Sequence, residues 1–190
     1  MQRFLESSKY IDWKSESILQ KAAQLRRENH SELALVKACF EFVRDEIRHS
    51  LDYQLNPVTC KASDVLKEGT GFCFAKSHLL AALLRANDIP TALIYQRIAF
   101  GEAKTSFYLH GLNAVYLHDF GWHHIDPRGL KKDLKSDFSP PQETLPFTPR
   151  YEGEVIYEER WSEPSANITS LLEGATSYLS VIERLPLISL

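Results

Sequence analysis

The chain has 190 residues, of which 44% are hydrophobic and 25% are charged, so it is long enough to bury one substantial core. Its net charge of −3 leaves no basic surplus, which argues against nucleic acid or an anionic membrane surface as a partner. The N-terminus lacks the apolar core of a signal peptide, and no apolar run approaches the roughly 18 residues of a membrane span. Three cysteines are too few for a disulfide framework, and we expect a reducing cytoplasm as the compartment.

The first elements in chain order are two helices. Residues 15–27 show helical periodicity, and residues 31–48 show it more strongly, because apolar residues follow Ser31 at steps of three and four. The sequence then predicts a long loop over residues 49–69, with a short helical turn at 63–68.

A third helix is predicted over residues 73–86. It is apolar on nearly all sides, so we expect it to be the central, buried helix, and Pro90 cannot continue it. A glycine-containing loop reaches this helix at Cys73. Unpaired N–H groups and the positive end of the helix dipole favour a thiolate at such a position. Cys73 is therefore a candidate nucleophile.

Three strands are predicted after this helix, over residues 91–100, 110–117 and 122–126. A short turn joins the last two, so they should form an antiparallel hairpin. A helix that feeds an antiparallel sheet is an α+β arrangement.

The C-terminal part, residues 131–190, is predicted to be an extension packed on the domain formed by residues 1–130. It begins with a proline-rich loop over residues 131–150. A strand over residues 154–161 and an amphipathic helix over residues 165–184 are expected to follow.

Cys73, His110 and Asp126 could supply a thiol nucleophile, a base and a carboxylate that orients the base. Each residue alone is weak evidence, because a cysteine near a buried helix usually acts as a small hydrophobic residue. In a regular hairpin Asp126 lies opposite residues 112–114, about 7–13 Å along the sheet from His110. A bulge, strand twist or side-chain reach must close this gap, and Asn113 is the fallback orienting residue.

The motifs around these residues resemble the transglutaminase-like superfamily. They are Gly71-Phe-Cys73 with the helix that follows, His110-Gly-Leu-Asn-Ala-Val-Tyr-Leu117, and Gly121-Trp-His-His-Ile-Asp126-Pro127, preceded by similar segments at 40–48 and 63–66. The resemblance covers about residues 30–130. It implies a papain-like α+β core in which Cys73 is the nucleophile, His110 the base and Asp126 the orienting acid.

The residues after the cysteine depart from the family pattern. Many members have a polar or acidic pair there, whereas this chain has Phe74 and Ala75, so a substrate preference cannot be carried over. Lys76 could favour the thiolate, although a solvated lysine on an exposed stripe is the simpler interpretation.

An oxyanion hole needs two hydrogen-bond donors. The backbone N–H of Cys73 is the natural first donor. Gln54, in the loop before the helix, is the candidate for the second, with Tyr53 as the alternative.

No cofactor or metal site is predicted. His118, His123 and His124 cluster with Asp119, but adjacent residues on a strand point to opposite faces and cannot both reach one ion. Two other cysteines are assigned no chemistry: Cys39 lies on an apolar helix stripe, and Cys60 lies in a loop where it could be exposed.

The resulting prediction is a thiol-dependent acyltransferase or hydrolase that acts on a peptide or carboxamide bond of a peptide or protein substrate. Hydrolysis is favoured over cross-linking, because water is always present and nothing indicates a second cleft for an acceptor amine. The alternative is a non-catalytic module of the same fold that binds a peptide or protein. The three filled positions argue against it, and the oligomeric state is left open.

Overall fold

A computed structural model describes residues 1–101, 106–129, 134–187 and 190 of the chain. Helices from the first half pack against one face of an antiparallel sheet formed by the second half. The predicted α+β class is confirmed. Within the described ranges, no helix combines the length and the apolar character needed to cross a bilayer.

In these residues the helices are α1 (Glu16–Glu28), α2 (Glu32–Glu41), α3 (Ser50–Tyr53), α4 (Ala62–Glu68), α5 (Cys73–Arg85), α6 (Ala166–Glu173) and α7 (Tyr178–Arg184). A π-helical segment, Phe42–Glu46, continues α2, and 3-10 turns lie at Gln2–Phe4 and Leu185–Leu187. The strands are β1 (Arg48–His49), β2 (Thr70–Gly71), β3 (Thr91–Phe100), β4 (Ser106–Leu117), β5 (Gly121–Ile125), β6 (Asp137–Ser139), β7 (Gln142–Thr144) and β8 (Val155–Ile156).

The main sheet has the strand order β5-β4-β3-β8 among the described residues, and all its pairs are antiparallel. β4 is therefore an inner strand with a partner on each side. His110 lies inside β4, so the prediction that it opens this strand was wrong. The strand begins earlier because residues 106–109 pair with β3.

Helix α5 is the centre of the packing, and all its residues are buried, as predicted. It packs on α1, α2 and α4 on one side and on β3 and β4 on the other. Gly111 in β4 permits this close packing. A Cβ atom at Gly111 would lie 2.7 Å from Cδ1 and 3.1 Å from Cα of Phe74. The first turn of α5, which begins with Cys73, therefore lies directly against β4 beside His110.

The helix predicted over residues 31–48 ends earlier than expected. Its α-helical part stops at Glu41 and its π-helical part at Glu46, because Ile47 has extended backbone angles. The next two residues form β1, which pairs in parallel with β2. Such a short strand exists only through its tertiary partner, so it has no periodic signal in the sequence.

The described part of the C-terminal extension packs on the same core as the helices. Ile168, Leu171, Leu172 and Val181 belong to the main hydrophobic cluster. The single helix predicted over residues 165–184 was wrong, because the chain forms α6 and α7. Ser177 and Ser180 form a capping box that starts α7.

The region before these helices contains more secondary structure than predicted. The proline-rich segment contains the β6–β7 hairpin, while residues 131–133 lie outside the described residues. The strand predicted over 154–161 is limited to β8 and a bridge between Trp161 and Leu93. The division into a 1–130 domain and a 131–190 extension stays a proposal.

Candidate active site

Cys73 is the first residue of α5. Phe72 before it has extended backbone angles and forms the N-cap position, and β2 ends one residue earlier. The side chain is 6% exposed. The thiol thus lies at the N-terminus of the helix, beside its unpaired N–H groups and the positive end of its dipole.

His110 and Asp126 are in direct contact. Nε2 of His110 donates a hydrogen bond to Oδ2 of Asp126 at 2.6 Å, and the two residues are 2% and 1% exposed. The strand register remains regular up to the Asn113–Ile125 pair, so Asp126 follows β5 next to Leu112. The two side chains are diagonal neighbours on one face, about 7–8 Å apart at their backbones, which an imidazole and a carboxylate can span. Side-chain reach closes the gap that the sequence predicted.

Both carboxylate oxygens of Asp126 are engaged. While Oδ2 accepts from His110, Oδ1 accepts from the backbone N–H of Arg128 at 2.9 Å. The hydroxyl of Ser136 donates to the Asp126 carbonyl at 2.6 Å. The guanidinium of Arg128 forms an ion pair with Asp52, in which Nη1 and Oδ2 are 2.9 Å apart. These contacts fix the carboxylate and, through it, the imidazole.

The electrostatic environment favours a protonated His110. Burial alone would lower its pKa, but the negative charges of Asp126 and Cys73 and the hydrogen bonds to both outweigh burial and raise it well above the usual range. Because Nε2 is bound to Asp126, Nδ1 is the ring nitrogen that faces the thiol. The geometry therefore suits a thiolate–imidazolium pair.

A cleft of about 160 Å³ opens at the thiol. Its walls are mostly apolar, and they are formed by His49, Leu51, Phe72, Cys73, Phe100, Tyr108, Leu109, His110, Arg128, Phe147, Ile182, Leu185 and Pro186. The last three belong to the C-terminal segment. The extension thus forms one wall of the cleft.

A second part of the extension covers the imidazole. The ring of Phe147 makes an edge contact with the ring of His110, with centroids 5.0 Å apart. Nε2 of Gln96 donates to the Phe147 carbonyl at 3.1 Å and holds this loop against β3. Bulk water is largely excluded from the His110–Asp126 pair as a result.

Comparison with known proteins agrees with this fold. A family model described as the transglutaminase-like superfamily matches residues 20–127. The chain belongs to the transglutaminase-like superfamily. No curated protein matches the sequence significantly.

Solved structures with the same fold include a protein from Cytophaga hutchinsonii described as a "putative cysteine protease". It has 22% sequence identity and a TM-score of 0.53, and the match covers 66% of this chain and 40% of that one. The periplasmic domain of TgpA from Pseudomonas aeruginosa also has 22% identity, with a TM-score of 0.51 and coverage of 66% and 46%. The same domain bound to ethylmercury gives equal identity and TM-score, with 47% of that chain covered. The match spans less than half of each of these chains, and at this identity the likeness shows the fold alone.

Three residues that were candidates for the orienting group or the oxyanion hole do not reach the cleft. The side-chain amide of Asn113 donates to the Ser77 carbonyl in α5 at 3.0 Å, so it is turned toward the helix. Gln54 is exposed in a left-handed conformation with φ of 54°, and Tyr53 is 60% exposed. Neither occurs among the described residues that line the cleft. The sequence missed Tyr108, which does line it, because the predicted strand began at His110.

Lys76 lies in the interior, so its interpretation as a solvated lysine was wrong. Its exposure is 0%, and Nζ donates to the carbonyl oxygens of Arg44, at 3.3 Å, and of Ile47. Burial lowers its pKa to about 7. The amine thus supports the backbone at the end of the π-helical segment rather than lying on an exposed helix face.

Lys76→Met should therefore change how stability depends on pH. The pKa falls from 10.5 in the unfolded chain to about 7 in the fold, so the unfolded state binds more protons between these values. The wild-type free energy of unfolding should rise across this window by up to about 1.4 kcal/mol per pH unit relative to the variant. Urea unfolding at pH 7, 8.5 and 10 measures the difference. If the free energy of unfolding rises equally with pH in both proteins, the depressed pKa of the buried amine is contradicted. Lys67→Met, at a side chain 78% exposed, is the control.

The other two cysteines are structural. Cys39 and Cys60 are 0% and 7% exposed, and burial raises the pKa of each thiol to about 12. The expectation that Cys60 could be exposed was wrong. Nδ1 of His78 donates a hydrogen bond to the Cys60 carbonyl at 2.8 Å, and burial lowers the His78 pKa to about 4, so this histidine is neutral.

The described residues contain no group of three His, Cys, Asp or Glu side chains that could hold a metal ion. His118 pairs with Asp119, and His124 pairs with Glu143. His123 packs against the ring of Phe138. The three histidines thus have separate partners.

Proposed function

We propose that this protein is a thiol-dependent acyl-transfer enzyme that hydrolyses a peptide or carboxamide bond. The observation that carries the proposal is the meeting of Cys73, at the start of α5, with an imidazole whose far nitrogen is bound to Asp126 at 2.6 Å. Membership of the transglutaminase-like superfamily supports thiol chemistry at this position. A catalytic triad of Cys73, His110 and Asp126 is the simplest use of this geometry.

The proposed reaction has two steps. The Cys73 thiolate attacks the carbonyl carbon, and the tetrahedral intermediate expels the amine as Nδ1 of His110 gives its proton to the leaving nitrogen. The resulting thioester is then attacked by water, whose proton returns to Nδ1. The acid leaves, and the thiolate and the imidazolium are restored. Asp126 keeps the ring oriented and stabilises its charge throughout.

The cleft walls suggest what the substrate presents beside its carbonyl. Phe72, Phe100, Leu109, Phe147 and Leu185 surround the space next to the thiol. An apolar group of side-chain size would bury hydrophobic surface there, whereas a charged group would lose hydration against these apolar walls. We propose a peptide or protein substrate with an apolar residue on the acyl side of the bond.

Water is the proposed acceptor of the acyl group. Cross-linking requires a second site for an amine, and the described cleft offers one apolar pocket beside the thiol. We also propose the reducing cytoplasm as the compartment, because Cys73 must remain a free thiol to react.

Alkylation with iodoacetamide tests the nucleophile. Cys73 should be modified well before Cys39 and Cys60, whose pKa values are raised to about 12 by burial. Peptide mapping by mass spectrometry gives the rate for each thiol in one sample. Turnover of a panel of peptide amides should fall in proportion to modification of Cys73. Full activity after complete modification of Cys73 would rule out the proposed nucleophile.

The products distinguish the competing functions. Free acid formed in the presence of a primary amine supports hydrolysis, whereas a new amide as the main product shows acyl transfer to amines. If Cys73 reacts readily but no amide in the panel is cleaved above the alkylated blank, the non-catalytic binding module becomes the better explanation.

A further inference from the structure

Acyl transfer at Cys73 creates a negatively charged oxygen in each tetrahedral intermediate. Two hydrogen-bond donors near this oxygen supply much of the rate in enzymes of this kind. The backbone N–H of Cys73, at the start of α5, supplies one. The cleft must supply the second.

Besides Cys73 and His110, three of the described residues lining the cleft have side-chain donors: His49, Tyr108 and Arg128. Arg128 already holds Asp52 through both Nη atoms, at 2.9 and 3.1 Å. His49 lies beside the same carboxylate, with Nδ1 3.7 Å from Oδ2 of Asp52. Arg128 is therefore committed to Asp52, and His49 lies beside the same charge.

Tyr108 is placed differently. It lies on β4 two residues before His110, so both side chains are on the same face and about 7 Å apart along the strand. Asp126 approaches His110 from the other side, next to Leu112. The tyrosine is thus on the flank of the imidazole that Asp126 leaves open.

The hydroxyl of Tyr108 is available to a substrate. Among the residues that the structure describes, none forms a hydrogen bond with it, although the side chain is partly buried. Partly buried tyrosine hydroxyls usually have a partner. In a cleft with mostly apolar walls, such a donor is a preformed contact for a polar atom of the substrate.

We infer that the phenol O–H of Tyr108 is the second donor of the oxyanion hole, an inference that rests on the proposed function. Burial raises the pKa of Tyr108, and the charge of Cys73 raises it further, so the hydroxyl keeps its proton when the thiolate is present. It can therefore donate to the developing oxyanion at neutral and moderately alkaline pH.

Tyr108→Phe removes only this hydroxyl and keeps the ring, which packs against the ring of Phe100 at 5.2 Å. We expect kcat/KM for the amide substrate to fall about 10²–10³-fold, mainly through kcat. Alkylation of Cys73 by iodoacetamide should stay within twofold of wild type, because displacement at a saturated carbon forms no oxyanion. Tyr116→Phe, an exposed tyrosine on the same strand, is the matched control.

A peptide aldehyde with an apolar side chain makes the test independent of turnover. It adds to Cys73 as a hemithioacetal whose oxygen occupies the oxyanion position, and Tyr108→Phe should weaken its binding at least tenfold. Wild-type aldehyde affinity in the variant would overturn the inference, as would a parallel loss of alkylation, which would show a structural effect on the thiol. An aldehyde that forms no adduct with an alkylation-competent wild type would also overturn it. If aldehyde binding depends on Tyr108 but the protein cleaves no amide, the proposed hydrolysis is rejected. The role of Tyr108 as an oxyanion-hole donor is then kept.

Discussion

His110→Ala should lower kcat/KM by about 10⁴–10⁶-fold, the range seen when one member of a catalytic triad is removed. The variant loses the group proposed to accept the thiol proton and later to deliver it to the leaving amine. It also leaves the Asp126 carboxylate, 1% exposed, without the cation beside it. Steady-state turnover of the peptide amide and the alkylation rate of Cys73 should both fall.

His118→Ala is the matched control, because this histidine is 88% exposed at its side chain and pairs with Asp119 at the surface. It should leave both rates unchanged. Circular dichroism should show that the two variants are folded. A folded His110→Ala protein whose turnover stays within tenfold of wild type would contradict the role proposed for His110.

Asp126→Asn should lower kcat by about 10⁴-fold while the fold is kept. The amide oxygen can still accept from the backbone N–H of Arg128, the bond now made by Oδ1 at 2.9 Å. The amide N–H₂ would then face Nε2 of His110, which must become an acceptor. The neutral ring would carry its proton on Nδ1, where it cannot take a proton from the thiol.

Asp126→Asn should also change the pH dependence of kcat/KM, in a direction that the charge of Asp126 determines. The Asp126 charge is the largest cause that raises the His110 pKa against burial. Without it the imidazolium should lose its proton at lower pH, so the alkaline limb of kcat/KM should move to lower pH. Asp137→Asn, at a side chain 52% exposed, is the control. An unchanged alkaline limb together with an unchanged kcat would rule out Asp126 as the orienting acid.

The elements that were predicted well have strong local signals. α5 begins at Cys73 as expected and ends one residue early, and β3 has the predicted bounds. A helix that is apolar on all sides and strands rich in β-branched and aromatic residues need little tertiary context to be recognised. The order of Cys73, His110 and Asp126 along the chain is likewise visible without coordinates.

The distance between His110 and Asp126 was harder to predict than their presence. The sequence indicated a hairpin in which the two residues are offset along the sheet, and the offset remains in the structure. The contact forms because diagonal neighbours on one face can meet through their side chains. Strand register fixes the backbone positions, and the reach of the two side chains then decides whether they touch.

Other features depend on contacts between distant parts of the chain. The burial of Lys76 depends on carbonyl groups of the segment that ends α2, and the wall formed by Ile182 and Leu185 depends on where α7 packs. Tyr108 shares a strand with His110 because β4 begins at Ser106, four residues before the predicted start. None of these contacts has a periodic pattern or a motif that would reveal it.

From its amino-acid order alone, this chain could be assigned an α+β class, a central helix that starts at a thiol, and a histidine and a carboxylate on two later strands. These follow from local periodicity and spacing, which act over a few residues. The pairing of β1 with β2, the close approach of α5 to Gly111 and the covering of the cleft by the C-terminal segment required the folded chain. They are set by packing and hydrogen bonding between residues far apart in sequence, and such contacts exist only after the core has formed.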